Sequence, residues 1–259
     1  MKDYLKNNTQ VREDILNQKL FFELKEASAK RQVHLKLFRS DVDVDGFDII
    51  IDNNDDNTLK CQVKSRFDAT TSYFDIHKIM LKPSYYFFDS FEFIQLIGCP
   101  NDFRGIILID GEVENGKIQT KYYYLDIFLL RAMELGIFKL TNQSKRISSE
   151  LLNSLRVDND SENKKISVLH SLFFPVKNID ALLAIMSFHS IYHHNLSFNI
   201  LTISKIVSGT YDVRYETNAD KIKEMRGHWD IINKGLSELI HEDSTITPGT
   251  LNKNYFKGT

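Results

Sequence analysis

Asp48, Gln62 and Lys64 are residues whose types and spacing suit chemistry on a phosphate. Asp48 runs directly into Ile49, Ile50 and Ile51, a β-branched run that favours a strand. The polar stretch 52–57 that follows reads as a turn, so residues 59–65 are expected to return as the second strand of a hairpin. Alternation then puts Leu59, Cys61 and Val63 on one face and Lys60, Gln62 and Lys64 on the other, one face for the core and one for chemistry. A carboxylate set between Phe47 and Ile49 needs a partner, a metal or water. Oxygen ligands with an amine close by suit a hard divalent cation and an activated water.

Neighbouring acids compete for the same role. Asp41, Asp43 and Asp45 also alternate and are able to share an edge and assist metal entry, but they read first as loop acids. Asp48 is favoured because it runs straight into the isoleucine strand, where rigid backbone can fix a ligand. Residues 13–30 carry Ile15, Leu16, Leu20, Phe21, Leu24 and Ala27 at helical spacing, with acids in the first turn and basic residues in the last. Glu23 lies beside that stripe, where it can turn inward toward the hairpin; Glu26, three residues on, is the alternative. Residues 33–38 alternate as a first strand.

In this order of parts the chain resembles the PD-(D/E)xK nuclease superfamily, over roughly residues 13–109. That family's pattern is a Glu on the first helix, an Asp opening a core strand, and Glu-x-Lys or Gln-x-Lys on the next strand. Glu23, Asp48 and Gln62-Val63-Lys64 look like those positions, with Gln62 replacing the commoner acid. The resemblance implies an α/β (α+β) fold: a restriction-endonuclease-like mixed central sheet flanked by helices, with a mainly helical C-terminal part. It further implies Mg2+ or Mn2+ held by Asp48, Gln62, the Val63 carbonyl and Glu23, with Lys64 orienting or deprotonating the attacking water. The implied activity is that of a DNA endonuclease in bacterial antiviral defence, either a restriction enzyme or an effector triggered by a partner. Cutting both strands implies a homodimer. A module that keeps the fold to bind DNA or a protein without cleaving is the other reading, supported by the neutral Gln62.

Past Lys64, Arg66, His77, Lys78 and Lys82 are candidate donors to a DNA backbone, since phosphate contacts position a duplex without reading it. The same segment also fits a solvated helix with Phe74, Ile76, Ile79 and Leu81 on its apolar face. The aromatic stretch 85–97 fits a helix or a strand and reads as core. Residues 105–110 are a buried strand, 111–116 a turn and 117–124 its hairpin partner, followed by a helix over 125–138. The polar stretch 141–165 gives a boundary between a nuclease core, 1–140, and a mainly helical region, 141–259, for DNA, partner or dimer contacts. Residues 178–192 read as a buried helix. In 221–240, Ile222, Met225, Trp229, Ile232, Leu236 and Leu239 make a stripe that packs on the core or on a second subunit.

Composition narrows the classes. With 259 residues, 42% of them hydrophobic and four prolines, the chain has ample core for one large or two small domains. A net charge of −2 argues against a general polyanion binder and demands a local basic surface for any DNA contact. The sequence shows no membrane span and no secretory leader, so a cytoplasmic protein is expected. Cys61 and Cys99 are too few for a four-thiolate zinc site, and His189, His193 and His194 lack the intervening Glu of the zinc-protease pattern. No phosphate loop is present, so a motor or sensor would be a separate chain.

Overall fold

The triple isoleucine forms β2 (Ile49–Asp52), which lies between β1 (Lys36–Arg39) and β3 (Thr58–Phe67) and is antiparallel to both. These coordinates are a computed structural model that describes residues 1–39, 46–53, 58–68, 71–81, 103–156, 165–188, 196–208, 218–244 and 246–250. Ile49 pairs with Cys61 and Ile51 with Leu59, and all four are buried. Ile50 and Lys60, one residue out of phase, are half-buried on the opposite face.

β5 (Phe103–Glu114) runs parallel to β3, so the chain has crossed over between them, and it turns at Asn115 and Gly116 into antiparallel β6 (Lys117–Leu125). Both turn residues have positive φ, 49° and 74°, the two-residue geometry that matches strand twist. The turn is therefore shorter than the expected 111–116, and Gly111 remains in the strand, paired with Phe67 and Thr120. β7 (Phe138–Lys139) pairs with residues 247–248 apart from this sheet, and β9 (Phe174–Val176) adds to β6, giving the order β1-β2-β3-β5-β6-β9. The protein is thus mixed α and β, with a mixed central sheet flanked by helices.

Two layers cover this sheet. On the face of Leu59, Cys61 and Phe67 lies α2 (Thr9–Lys30), preceded by α1 (Lys2–Asn7). Leu16, Leu20, Leu24 and Ala27, three or four residues apart, form its buried stripe. The Arg12 guanidinium sits 5.9 Å over the Phe67 ring, and Lys19 donates to the Ile118 carbonyl of β6 at 3.1 Å. On the face of Gln62 and Lys64 lies a two-stranded antiparallel ribbon, β4 (Tyr73–His77) with β8 (Lys165–Leu169). Residues 73–77 are thus a strand and not a helix: Phe74 and Ile76 are buried while Tyr73 and Asp75 are exposed, the alternation of a half-covered ribbon.

The boundary expected at 140/141 does not divide the structure. α4 (Asn142–Arg156) buries Leu151, Leu152 and Leu155, β8 pairs with β4, and β9 belongs to the main sheet. One hydrophobic cluster runs from Leu16 to Ile246. The polar composition of 142–156 reflects the solvated side of an amphipathic helix, whose inner side the overall hydropathy conceals. α7 (Asn218–Leu239) buries Met225, Trp229, Ile232, Leu236 and Leu239 against its own chain, with α6 (Leu196–Ser208) and α5 (Ile179–Ile185) among its neighbours. Its apolar stripe is therefore not an interface for a second subunit. Among the described residues no helix is long and apolar enough to cross a membrane.

Helix α3 (Ile127–Glu134) starts at Asp126, whose Oδ1 accepts the Leu129 N–H at 2.8 Å in a side-chain cap. Burial raises this carboxyl to about 7, against hydrogen bonds from Leu129, Tyr124 and Phe128 that lower it. Because the folded value lies above the unfolded value of about 3.9, stability present below about pH 4 is lost as pH rises through about 7. Asp126→Asn keeps the cap acceptor and removes the ionisation. Its Tm relative to wild type is expected to rise between about pH 5 and about pH 8; a flat difference in thermal scans would exclude a buried ionisation at this position.

Candidate active site

β2 begins at Ile49, so beyond Cys61 the corresponding edge of β3 has no paired strand among the described residues. The N–H and C=O of one residue project to the same side of a strand, and for Val63 that side is this edge. Asp48 takes the place of the missing strand. Its N–H donates to the Cys61 carbonyl at 2.8 Å, and its Oδ2 accepts the Val63 N–H at 2.6 Å. An ionised acceptor makes such a bond shorter and about twice as strong as a neutral one.

Gln62 and Lys64 flank Val63 and project to the face covered by β4. Gln62 is only 4% exposed, and its Oε1 accepts the His77 N–H at 3.0 Å. The His77 ring also packs against the chain just before Asp48. A Cβ on Gly46 would lie 2.4 Å from His77 Cγ, and Gly46 has φ +73°, so packing and backbone both require glycine there. Asp48, Gln62, Val63 and His77 thus form one connected group, with half-buried Lys64 next along β3. Among the described residues Lys64 has no ion pair, whereas the Lys60 ammonium lies 5.2 Å from the Phe47 ring centre.

Glu23 is not part of this group. It pairs with Lys19 at 3.3 Å and lies beside Tyr122 of β6, whose hydroxyl is pushed up first by burial and further by Glu23. That position is two strands from β3 and on the opposite face from Gln62 and Lys64. Glu26, the alternative, pairs with Lys30 on a solvated side of α2. The side of a helix that meets a given strand depends on its rotation over the sheet, which the apolar stripe sets only broadly.

Arg66 is likewise unsuited to a phosphate contact. Its guanidinium is 11% exposed, pairs with Asp110 at 2.5 Å and donates to the Thr71 carbonyl at 3.1 Å. Lys78 is half-buried in the 3-10 turn Lys78–Met80. Lys82, the acids Asp41, Asp43 and Asp45, the stretch 85–97, Cys99, His189, His193 and His194 lie outside the described residues. Cys61 is fully buried, and that burial, with Asp126 and Asp48 nearby, pushes its thiol well up into an unreactive state.

The donor set available to a cation is spare. Among the described residues no three His, Cys, Asp or Glu side chains gather into a metal-binding group. Asp48 supplies the carboxylate, Val63 a carbonyl on the same edge, and Gln62 the second lone pair of its amide oxygen. Mg2+ is usually bound through one or two carboxylates together with substrate phosphates, so these residues fit an ion completed by its substrate. Compared with known proteins, the chain matches no family, no curated protein and no solved structure.

Removing the Asp48 carboxylate leaves the Val63 N–H without its acceptor. Asp48→Ala is expected to cost about 1 kcal/mol or more in denaturant unfolding, and Asp48→Asn, which keeps an acceptor oxygen, less. An alanine variant as stable as wild type would show that this bond does not hold the edge of β3.

Proposed function

We propose that the protein is a Mg2+-dependent DNA endonuclease that hydrolyses phosphodiester bonds, of the kind used in bacterial antiviral defence as a restriction enzyme or a triggered effector. The observation that carries this reading is the Asp48 carboxylate on the open edge of β3, against the backbone between Gln62 and Lys64. The order of helix α2, strand β1, Asp-led β2 and Gln-x-Lys-bearing β3 supports it. Glu23 has no part in it.

Asp48, the Val63 carbonyl and Gln62 would hold the ion. When bound, it would polarise the scissile phosphate and make its water more acidic. Asp48 fixes the position of the site because its carboxylate is tied to the β3 backbone. Lys64, the residue after Val63 on β3, would supply the positive charge there, donating to a phosphate oxygen or taking a proton from the attacking water. The described donors carry a single negative charge, so the ion is held weakly until a phosphate joins it. A duplex cut on both strands requires two such sites and hence two copies of the chain or two events, with a contact other than the α7 stripe.

One observation favours a second reading. Gln62 is buried with its amide oxygen already accepting a backbone N–H, which is how a structural glutamine behaves in a module that binds DNA or a protein without cleaving.

Purified protein incubated with plasmid and Mg2+ separates these readings: discrete fragments indicate restriction, smears an effector, and intact plasmid the binding module. Lys64→Ala should abolish cleavage while fold and DNA binding persist; a fully active variant would end the nuclease proposal. Gln62→Glu keeps the acceptor for His77 and adds charge, so it should stay active and reach half-maximal rate at lower Mg2+ in a titration.

A further inference from the structure

A cavity of about 360 Å3 lies beside β6 and β9, away from the group around Asp48. It lies within the usual volume range of small-molecule sites. Cross-strand register places it relative to Lys64: Lys64 pairs with Leu108 and Leu108 with Tyr123, while Arg66 pairs with Asp110 and Asp110 with Lys121. Tyr123 and Lys121, which line the cavity, are therefore on the Lys64 face of the sheet. At about 4.8 Å per strand they are roughly 10 Å across from Lys64 and Arg66.

The lining divides by chemistry. Nearly buried Phe173, Val176 and Ile246 close the apolar side, and Lys121, His170, His241 and the carboxylate of Asp243 supply polar heads. The His170 ring meets Tyr123 edge-on at 4.8 Å, and its Nε2 has no hydrogen-bond partner among the described residues. Burial lowers this imidazole to about 4, with the Arg66 charge adding to the effect, so at neutral pH the ring is uncharged and carries one donor and one acceptor. His241 Nδ1 lies 3.2 Å from the Asp243 backbone nitrogen and 3.7 Å from its carboxylate, so the acid sits beside this imidazole. The Lys121 side chain is exposed at the rim.

We propose that this cavity binds a nucleotide, its base against the half-buried Tyr123–His170 rings and its phosphate at Lys121 and His241. The Tyr123 and His170 rings offer a surface on which any base can stack, and an ammonium with an imidazole beside it suits a phosphate. The nucleotide is either free or a unit of a DNA strand. The choice of nucleotide over other aromatic anions rests on the nuclease reading; the cavity itself does not.

The test is binding without metal, by calorimetry with dAMP and dTMP and by fluorescence anisotropy with an end-labelled single-stranded oligothymidylate, on wild type, Lys121→Ala and His241→Ala. Both side chains lie at the rim of the cavity, and circular dichroism and Tm would verify that each variant folds. Mononucleotide binding that each substitution weakens about tenfold or more identifies a site for free nucleotide. Oligonucleotide binding weakened to that extent, without mononucleotide binding, identifies a site for a nucleotide within a strand. Absence of both, or binding indifferent to both substitutions, overturns the proposal. Plasmid cleavage is scored separately, so an inactive protein that still binds nucleotide at Lys121 and His241 would sink the nuclease reading and leave the cavity's assignment standing.

Discussion

The bond from Val63 N–H to the Asp48 carboxylate is the constraint on which the site depends. β2 has four residues and β3 ten, so their pairing must stop while β3 continues. An exposed strand edge presents unmet N–H and C=O groups and is a liability for the fold. Closing it with a carboxylate meets the N–H and still leaves acceptor capacity on the oxygens. A structural need and a chemical opportunity thus fall on one residue, and Gly46 packed under the His77 ring fixes how the chain arrives there.

The sheet then acts as a partition. Alternation along β3 sends Cys61 into the core beneath α2 and sends Gln62, Lys64 and Arg66 to the β4 side. The strands themselves separate the two sides, so Glu23 on α2 and Lys64 on β3 answer to different surroundings. On the β4 side, Arg66 and Asp110 form a largely buried ion pair next to Tyr123 and His170. Such a pair is costly to break because each partner would leave an uncompensated charge, and this holds Arg66 in place.

The second half of the chain serves the same core as the first. β9 extends the sheet, β8 completes the ribbon with β4, and the turns after β8 and after α7 approach each other over β6 to leave the cavity between Tyr123 and Ile246. Its lining comes from the segments near residues 121, 170 and 241, which no local pattern connects.

The sequence by itself determined what depends on neighbours along the chain. The β-branched run at Ile49, the alternation from Leu59 to Lys64, the apolar rhythm of α2 and α7 and the β5–β6 hairpin are local, and each has the form its period requires. That Asp48 would come to lie against the second strand was legible for the same reason, since a short turn leaves few registers open to a hairpin; the bond it makes there, to the Val63 N–H, was not. What crosses the molecule was decided only by the tertiary structure. It set the rotation of α2 that takes Glu23 to β6, and the pairing with β8 that makes residues 73–77 a strand. It also set the Asp110 partner that occupies Arg66, the His77 N–H that occupies Gln62, and the shared core that cancels a boundary at residue 140. Each of these is a choice of partner between distant segments, fixed by burial and hydrogen-bond completion over the whole fold and not by any spacing along the chain.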